Sequence, residues 1–218
     1  MDLTGSCSGD RDPLHLPPRV PLPPFFTRQT NLTTHHAQLT KWASFVLAYC
    51  CHYRIFKLSL SGLSPTTTTT STATSQTTQA TTSSAEVSSG AEELFYNRKL
   101  NKRLSHADAR EVINFLRKDG RAEYVTGSGS TSSEGSDLVW VYWRTPEEWA
   151  ALIEAWVDET GQRGTVLTLY ELTQGDATVG TEFHGLDPEI LQKALGTLVK
   201  RAKAQIFGSE DSQGVKFF

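Results

Sequence analysis

Cys50-Cys51-His52 puts two thiols and an imidazole on consecutive residues, the densest set of soft ligands in the chain. A metal centre needs further His or Cys at ligand spacing, and no second pair stands so. Successive side chains on a helix also point to different sides. The three residues therefore read as a buried helix end. Glu182, His184 and Asp187 in "EFHGLDP" come nearest to an acid–base cluster, yet no Ser or Cys sits with them in a nucleophile elbow. His184 reads as a turn residue flanking the last helix, and His35-His36 as solvated residues at a helix start. Gly127-Ser128-Gly129 lacks the downstream Gly-Lys-Ser/Thr of a phosphate loop. The expectation is no catalysis, no metal and no cofactor.

The chemistry that remains is that of binding. Residues 1–29 hold six of the nine prolines, at 13, 17, 18, 21, 23 and 24, and are expected to be extended or polyproline-like. In "LPPFFTRQ", Pro23 and Pro24 stand beside Phe25 and Phe26. A proline-preset segment loses little entropy on docking, and two phenylalanines supply large apolar anchors. Such a segment suits a pocket on another subunit; the alternative is that it folds back on the chain's own first domain.

The elements behind it repeat. Residues 31–56 read as a helix running into a strand, with Thr33/Thr34 as start signals and Ala37, Trp42, Phe45, Val46 and Tyr49 at helical spacing. In residues 61–90, nineteen of thirty are Ser or Thr and Glu86 is the single charge, so this stretch reads as a disordered insertion. "AEELFYNRKL" predicts a short helix. "SHADAREVINFLRKDG" predicts a helix with Ser105 as N-cap, Val112, Phe115 and Leu116 on its apolar face and Gly120 as its stop. "RAEYV" and "DLVWVYWR" read as strands joined by a Gly/Ser-rich loop.

The order then recurs. "TPEEWAALIEAWVDETG" carries a Thr145/Glu148 capping box, with Trp149, Leu152, Ile153, Trp156 and Val157 as its stripe. "TVLTLYEL" is a strand leading into a turn or short helix. "DPEILQKALGTLVKRAKA" is a helix with Ile190, Leu191, Ala194, Leu195 and Leu198 inward, and "AQIF" and "GVKFF" close a hairpin. Helix, strand, short helix, helix, strand, strand, twice over, is the winged-helix plan. The expected fold is α+β: a Pro-rich segment at 1–29, a first winged-helix domain at 30–143 and a second at 144–218.

Charge narrows the partners. The 218 residues carry 21 basic and 24 acidic side chains, and residues 137–218 hold 7 and 13 of these, which would repel a phosphate backbone. A winged-helix nucleic-acid binder is the alternative class, with Arg110, Arg117 and Lys118 on the first unit's recognition-type helix, but Asp108, Glu111 and Asp119 intervene. An odd cysteine count gives no disulfide framework, the first 20 residues show no apolar signal region, and "WASFVLAYCC" is far shorter than a membrane span. These point to a cytosolic protein.

The marks "PPFFTRQ", "LFYNRKL", "RTPEEWAALIEAWVDETGQ", "TLYELTQGD", "EFHGLD" and the terminal "GVKFF" occur together in one order. In this the chain resembles the small-subunit family of the ESCRT-II complex, the vacuolar protein sorting-associated protein 25 family. The resemblance implies two tandem winged helices without catalysis. Two copies would join one copy each of two larger subunits, with Pro23, Pro24, Phe25 and Phe26 plugging into pockets on those subunits. Pro17-Pro18 in "LPPRV" is similar to a second, earlier motif but ends in Val20. Arg103 occupies the place of a basic residue that makes ionic contacts to the partners. The second domain would recruit the initiating ESCRT-III subunit in cargo sorting into multivesicular bodies. The implied protein is cytoplasmic, reaches endosomal membranes only through partner subunits, and binds no nucleic acid.

Overall fold

Asn31 opens the first helix: its Oδ1 accepts from the backbone N–H of Thr33 (2.9 Å) and Thr34 (3.4 Å), satisfying two donors that a helix N-terminus leaves over. The cap is thus Asn31 rather than the threonines after it. The computed structural model describes residues 23–61, 93–125, 137–208 and 213–218, and in it helix α1 runs Leu32–Tyr53. Its buried stripe is Gln38, Trp42, Ala43, Phe45, Val46, Tyr49 and Cys50. Ala37, expected on that stripe, is exposed, because one helical turn back from Trp42 falls on position 38. The helix stops at Arg54, whose backbone is left-handed (φ 54°), and the N–H of Ile55 returns to Cys50 O at 2.8 Å.

The chain falls into two compact units, with the border between Trp143 and Arg144. The first unit continues with strands β1 (Lys57–Ser59), β2 (Tyr96–Asn97) and β3 (Lys102–Arg103), helix α2 (His106–Lys118), and strands β4 (Ala122–Tyr124) and β5 (Leu138–Val141). β5 lies between β1 and β4 and pairs antiparallel with both. Trp140 stands between Lys57 and Glu123 in this register, and the Lys57 ammonium sits 4.4 Å from the Trp140 ring centroid. That cover explains why "LVWV" runs apolar instead of alternating.

The helix expected over "AEELFYNRKL" is confined, among the described residues, to Glu93 and Leu94. From Tyr96 the chain is a hairpin, with Tyr96 opposite Arg103 and Asn97 opposite Lys102. Asn97 overrides the helical composition: its Oδ1 accepts from the N–H groups of Lys99 (3.0 Å) and Leu100 (3.3 Å), a side-chain turn that competes with helix. Asn101 then takes a left-handed backbone (φ 48°), which Asn tolerates better than most residues.

The second unit opens with α3 (Pro146–Glu159), where Thr145 Oγ1 accepts from Glu148 N–H and Glu148 Oε2 accepts from Thr145 N–H. Strand β6 (Val166–Thr168), helix α4 (Leu169–Gln174), helix α5 (Pro188–Lys200) and strands β7 (Ala204–Phe207) and β8 (Gly214–Phe217) follow. α4 ends at Gly175, where a Cβ would collide with the Glu171 carbonyl. α5 packs on α3 and buries Ile190, Leu191, Ala194, Leu195 and Leu198. The sheet order is β6–β8–β7. In both units, therefore, a helix and a strand are followed by a second major helix and two strands, and the last strand sits centrally between the other two.

The fold is α+β, with one apolar core per unit. Trp42, Phe95, Leu58, Leu60, Ile113 and Leu116 are the largest fully buried side chains of the first, and Ile153, Leu172, Ile190, Leu191, Leu195 and Leu198 those of the second. The Pro-rich expectation changes at its end: Pro23–Phe26 is one turn of 3-10 helix, a conformation compatible with the fixed φ of proline. The rest of residues 1–22, the insertion beyond Ser61 and the loop at 127–136 lie outside the described residues.

Burial pushes the Cys50 thiol up to about 12 from its ordinary 9.0. Its thiol is expected to resist alkylation in the native chain and react on unfolding. The unfolded state releases this proton first, so stability should fall as pH rises from 9.0 towards 12; a Cys50→Ala variant showing the same decline would contradict that assignment. Leu195→Ala should cost about 2–5 kcal/mol and Thr145→Ala about 1 kcal/mol in urea unfolding of the second unit.

Candidate functional site

The polar residues that could have formed a catalytic cluster serve the fold instead. Glu182 pairs with Arg144. His184 Nδ1 meets Thr178 Oγ1 at 3.1 Å. Asp187 caps α5 by accepting from Glu189 N–H at 2.9 Å. Among the described residues no group of three or more His, Cys, Asp or Glu could hold a metal ion. His35 differs from expectation: it is half-buried, with Nε2 2.9 Å from Glu111 Oε1, an oxygen that Arg28 also reaches at 3.4 Å. His36 is exposed and meets the Phe115 ring edge-on.

The aromatic residues converge on Trp42. The Phe25 ring stacks on it, with centroids 4.6 Å apart and planes 20° from parallel. Phe26 meets the same indole edge-to-face at 5.5 Å, and Phe45 and Phe95 each lie 5.8 Å away. Such pairs favour stacked or edge-on geometry and add about 0.5–1.5 kcal/mol each to area burial. Phe25 is 8% exposed and belongs to the first unit's core, whereas Phe26 is half-buried. The isolated chain therefore shows the fold-back disposition for Phe25, and Phe26 keeps an open side.

Hydrogen bonds hold the turn in place. Trp42 Nε1–H donates to Phe25 O at 3.0 Å. Gln38 Nε2 donates to that carbonyl at 2.8 Å and to Thr27 O at 2.9 Å. An amide nitrogen has two hydrogens and a carbonyl oxygen two lone pairs, so the geometry uses both capacities fully. Lifting the turn would strand these donors at about 1–3 kcal/mol for each unsatisfied group. Exposing the Phe25 side chain would cost about 1.5–3 kcal/mol more.

Arg103 belongs to the same corner. Strand β3 packs against the Pro23–Phe26 turn, and the exposed Arg103 places its guanidinium 5.6 Å from the Tyr96 ring centroid. Tyr96 in turn lines a shallow apolar groove with Phe25, Phe26, Trp42, Phe45 and Leu94. The structure thus brings the turn and Tyr96 together on one groove, with Arg103 beside Tyr96, although they are far apart in sequence. Gln38 and Tyr96 were not legible as site residues. The available signal was a polar side chain at an apolar position of the 38–42–45–49 stripe.

The described residues contain no helix long and apolar enough to cross a membrane. A family model described as ESCRT-II complex subunit matches residues 21–187, a span that takes in the turn, the groove and Arg103. Vacuolar protein-sorting-associated protein 25 of Homo sapiens is 38% identical over 90% of this chain and 93% of its own length. The protein of the same name from Xenopus laevis is 34% identical over 90% and 94%. Two solved structures are similar as well. One is subunit VPS25 of the endosomal trafficking complex ESCRT-II (TM-score 0.69, 27% identity, 92% of this chain and 98% of that one). The other is a chain of the endosomal complex ESCRT-II (VPS22/VPS25/VPS36) (TM-score 0.70, 27% identity, 93% and 98%). The chain belongs to the ESCRT-II complex subunit family.

Proposed function

We propose that this non-enzymatic ESCRT-II subunit works as a bridge, using the groove corner of its first unit to hold larger subunits and its second unit to engage ESCRT-III. The observation that carries the reading is the partly exposed Phe26, which lines one groove with Tyr96, the ring beside which Arg103 places its guanidinium. Buried aromatic anchors and arginines are among the residues that carry most of the binding energy of protein interfaces. The two units are tandem winged helices at 30–143 and 144–218, preceded by the Pro-rich segment 1–29; their shared strand order supports this. The partners of the first unit correspond to VPS22 and VPS36, which accompany VPS25 in the similar complex, with Pro23, Pro24, Phe26 and Arg103 at the contact.

The second unit supplies exposed Val166, Tyr170, Val179 and Phe207 as apolar area for the initiating ESCRT-III subunit. Two copies of the chain in one complex would raise the local concentration of that partner. The complex would act on ubiquitin-dependent cargo at endosomal membranes, reached from the cytoplasm through the larger subunits. Nucleic-acid binding is not favoured: Arg110 and Arg117 both lie over the Tyr124 ring at 5.6 Å, and Arg110 also approaches Asp137 at 3.8 Å.

Phe26→Ala should cost the free chain about 1–2 kcal/mol in urea unfolding, from the lost ring contacts with Trp42 and Phe25, while leaving it folded. It should weaken binding to the co-expressed larger subunits by at least about 2 kcal/mol. Arg103→Glu should weaken the same binding more at low salt than at high salt. Wild-type affinity for both variants would remove this corner from the interface, and salt-sensitive duplex binding by the free chain would favour a nucleic-acid role.

A further inference from the structure

We infer that Gln38 is a positioning residue for partner docking: its buried amide holds the Pro23–Phe26 turn on α1, so that Phe26 meets the partner from a preformed knob. The inference rests on the docking reading above. It adds that the turn binds while seated on its own domain and does not peel away first.

Gln38 is 9% exposed and lies one helical turn before Trp42, so both side chains face the same carbonyl. Its Nε2 donates to Phe25 O and Thr27 O, the carbonyls on either side of Phe26. Trp42 Nε1–H completes the set on Phe25 O. The two carbonyls also fix the amide's orientation, because its oxygen in the same place would face two acceptors. With its carbonyl neighbours anchored, the Phe26 backbone has little freedom left. The ring's own aromatic contacts are Trp42 at 5.5 Å and Phe25 at 6.2 Å, which direct it while leaving it partly exposed. Rigidifying a segment in its bound conformation raises affinity by removing the ordering cost of association. The groove wall at Tyr96, with Arg103 beside that ring, would also keep its relation to Phe26 only while the turn stays seated.

Two readouts on the full-length chain test this. The first is the rate of chymotrypsin cleavage after Phe25 and Phe26 in the free chain. The second is Kd for the co-expressed pair of larger subunits. Gln38→Leu, which keeps bulk and removes both donors, should speed cleavage about tenfold and weaken Kd about tenfold, equivalent to about 1.4 kcal/mol. In a Phe26→Ala background, Gln38→Leu should add little further loss of affinity, because the two residues act as one unit.

Gln38→Glu supplies a variant whose behaviour changes with pH. A carboxylate against two carbonyls should release the turn, and acidification, by restoring one O–H donor, should slow cleavage relative to the wild-type chain at the same pH. Unchanged cleavage in Gln38→Leu with a pH-independent ratio of Gln38→Glu to wild-type cleavage would overturn the clamp. Faster cleavage with unchanged or tighter Kd would overturn its role in docking, and show the seated turn to be a blocked state. If Phe26→Ala itself leaves Kd at the wild-type value, the docking reading fails and the positioning role falls with it. In that case a clamp detected by cleavage alone would be a purely structural one.

Discussion

The Phe25 carbonyl, held by the Trp42 indole and the Gln38 amide, is the constraint on which the first unit's aromatic corner depends. A turn with two prolines and two phenylalanines has no hydrogen-bonded partner strand and too little apolar area to hold itself in water. It becomes part of the protein because α1 offers a flat ring for Phe25 to cover and two buried donors for its backbone. The same indole contacts Phe45 and Phe95, so the turn is attached to the centre of the core. The hairpin β2–β3 then lies against the turn and adds Tyr96 and Arg103 to its edge. Groove and core are thus joined through one side chain, Trp42.

The second unit repeats the strand order of the first but differs in chemistry. It has no aromatic hub of this kind among its described residues, and in its core the Ile and Leu side chains of α5 meet Trp149, Ala150, Ile153 and Val157 of α3. Several of its cations are engaged internally: Arg144 with Glu182, Arg163 with Asp158, and Lys203 with Glu154. The Arg163 hydrogen bond holds the Asp158 carboxyl below its ordinary range. These pairs are exposed or half-exposed and contribute little stability each, but they leave a net-acidic surface on which exposed apolar side chains stand out. One topology therefore carries two surfaces of different composition.

The parts legible in the sequence are those governed by local rules. The α5 stripe follows helical periodicity, and the Thr145/Glu148 and Ser105 caps declare themselves by residue type and spacing. The hairpin at Tyr96–Arg103 is hidden because "LFYNRKL" has a helical composition, and only the Asn97 side-chain turn decides against it. The destination of Phe25 is equally hidden. Two prolines and two aromatics mark a segment in need of an apolar seat but not where that seat is, and the seat on α1 depends on Gln38 and Trp42, over ten residues away. His35 reads as solvated in the sequence because its partner, Glu111, lies on another helix. Local chemistry is readable, whereas long-range pairing requires the fold.

Family membership makes the chain an ESCRT-II subunit, and its own geometry raises the question of whether the proline–aromatic turn stays on α1 when partners arrive. Hydrogen exchange at the Trp42 indole N–H, followed by NMR with and without the larger subunits, tests this most directly. Protection that persists or increases in the complex is the result expected of a turn that binds while seated. Loss of protection at Trp42 on assembly would mean that Phe25 leaves its ring, and would contradict the account.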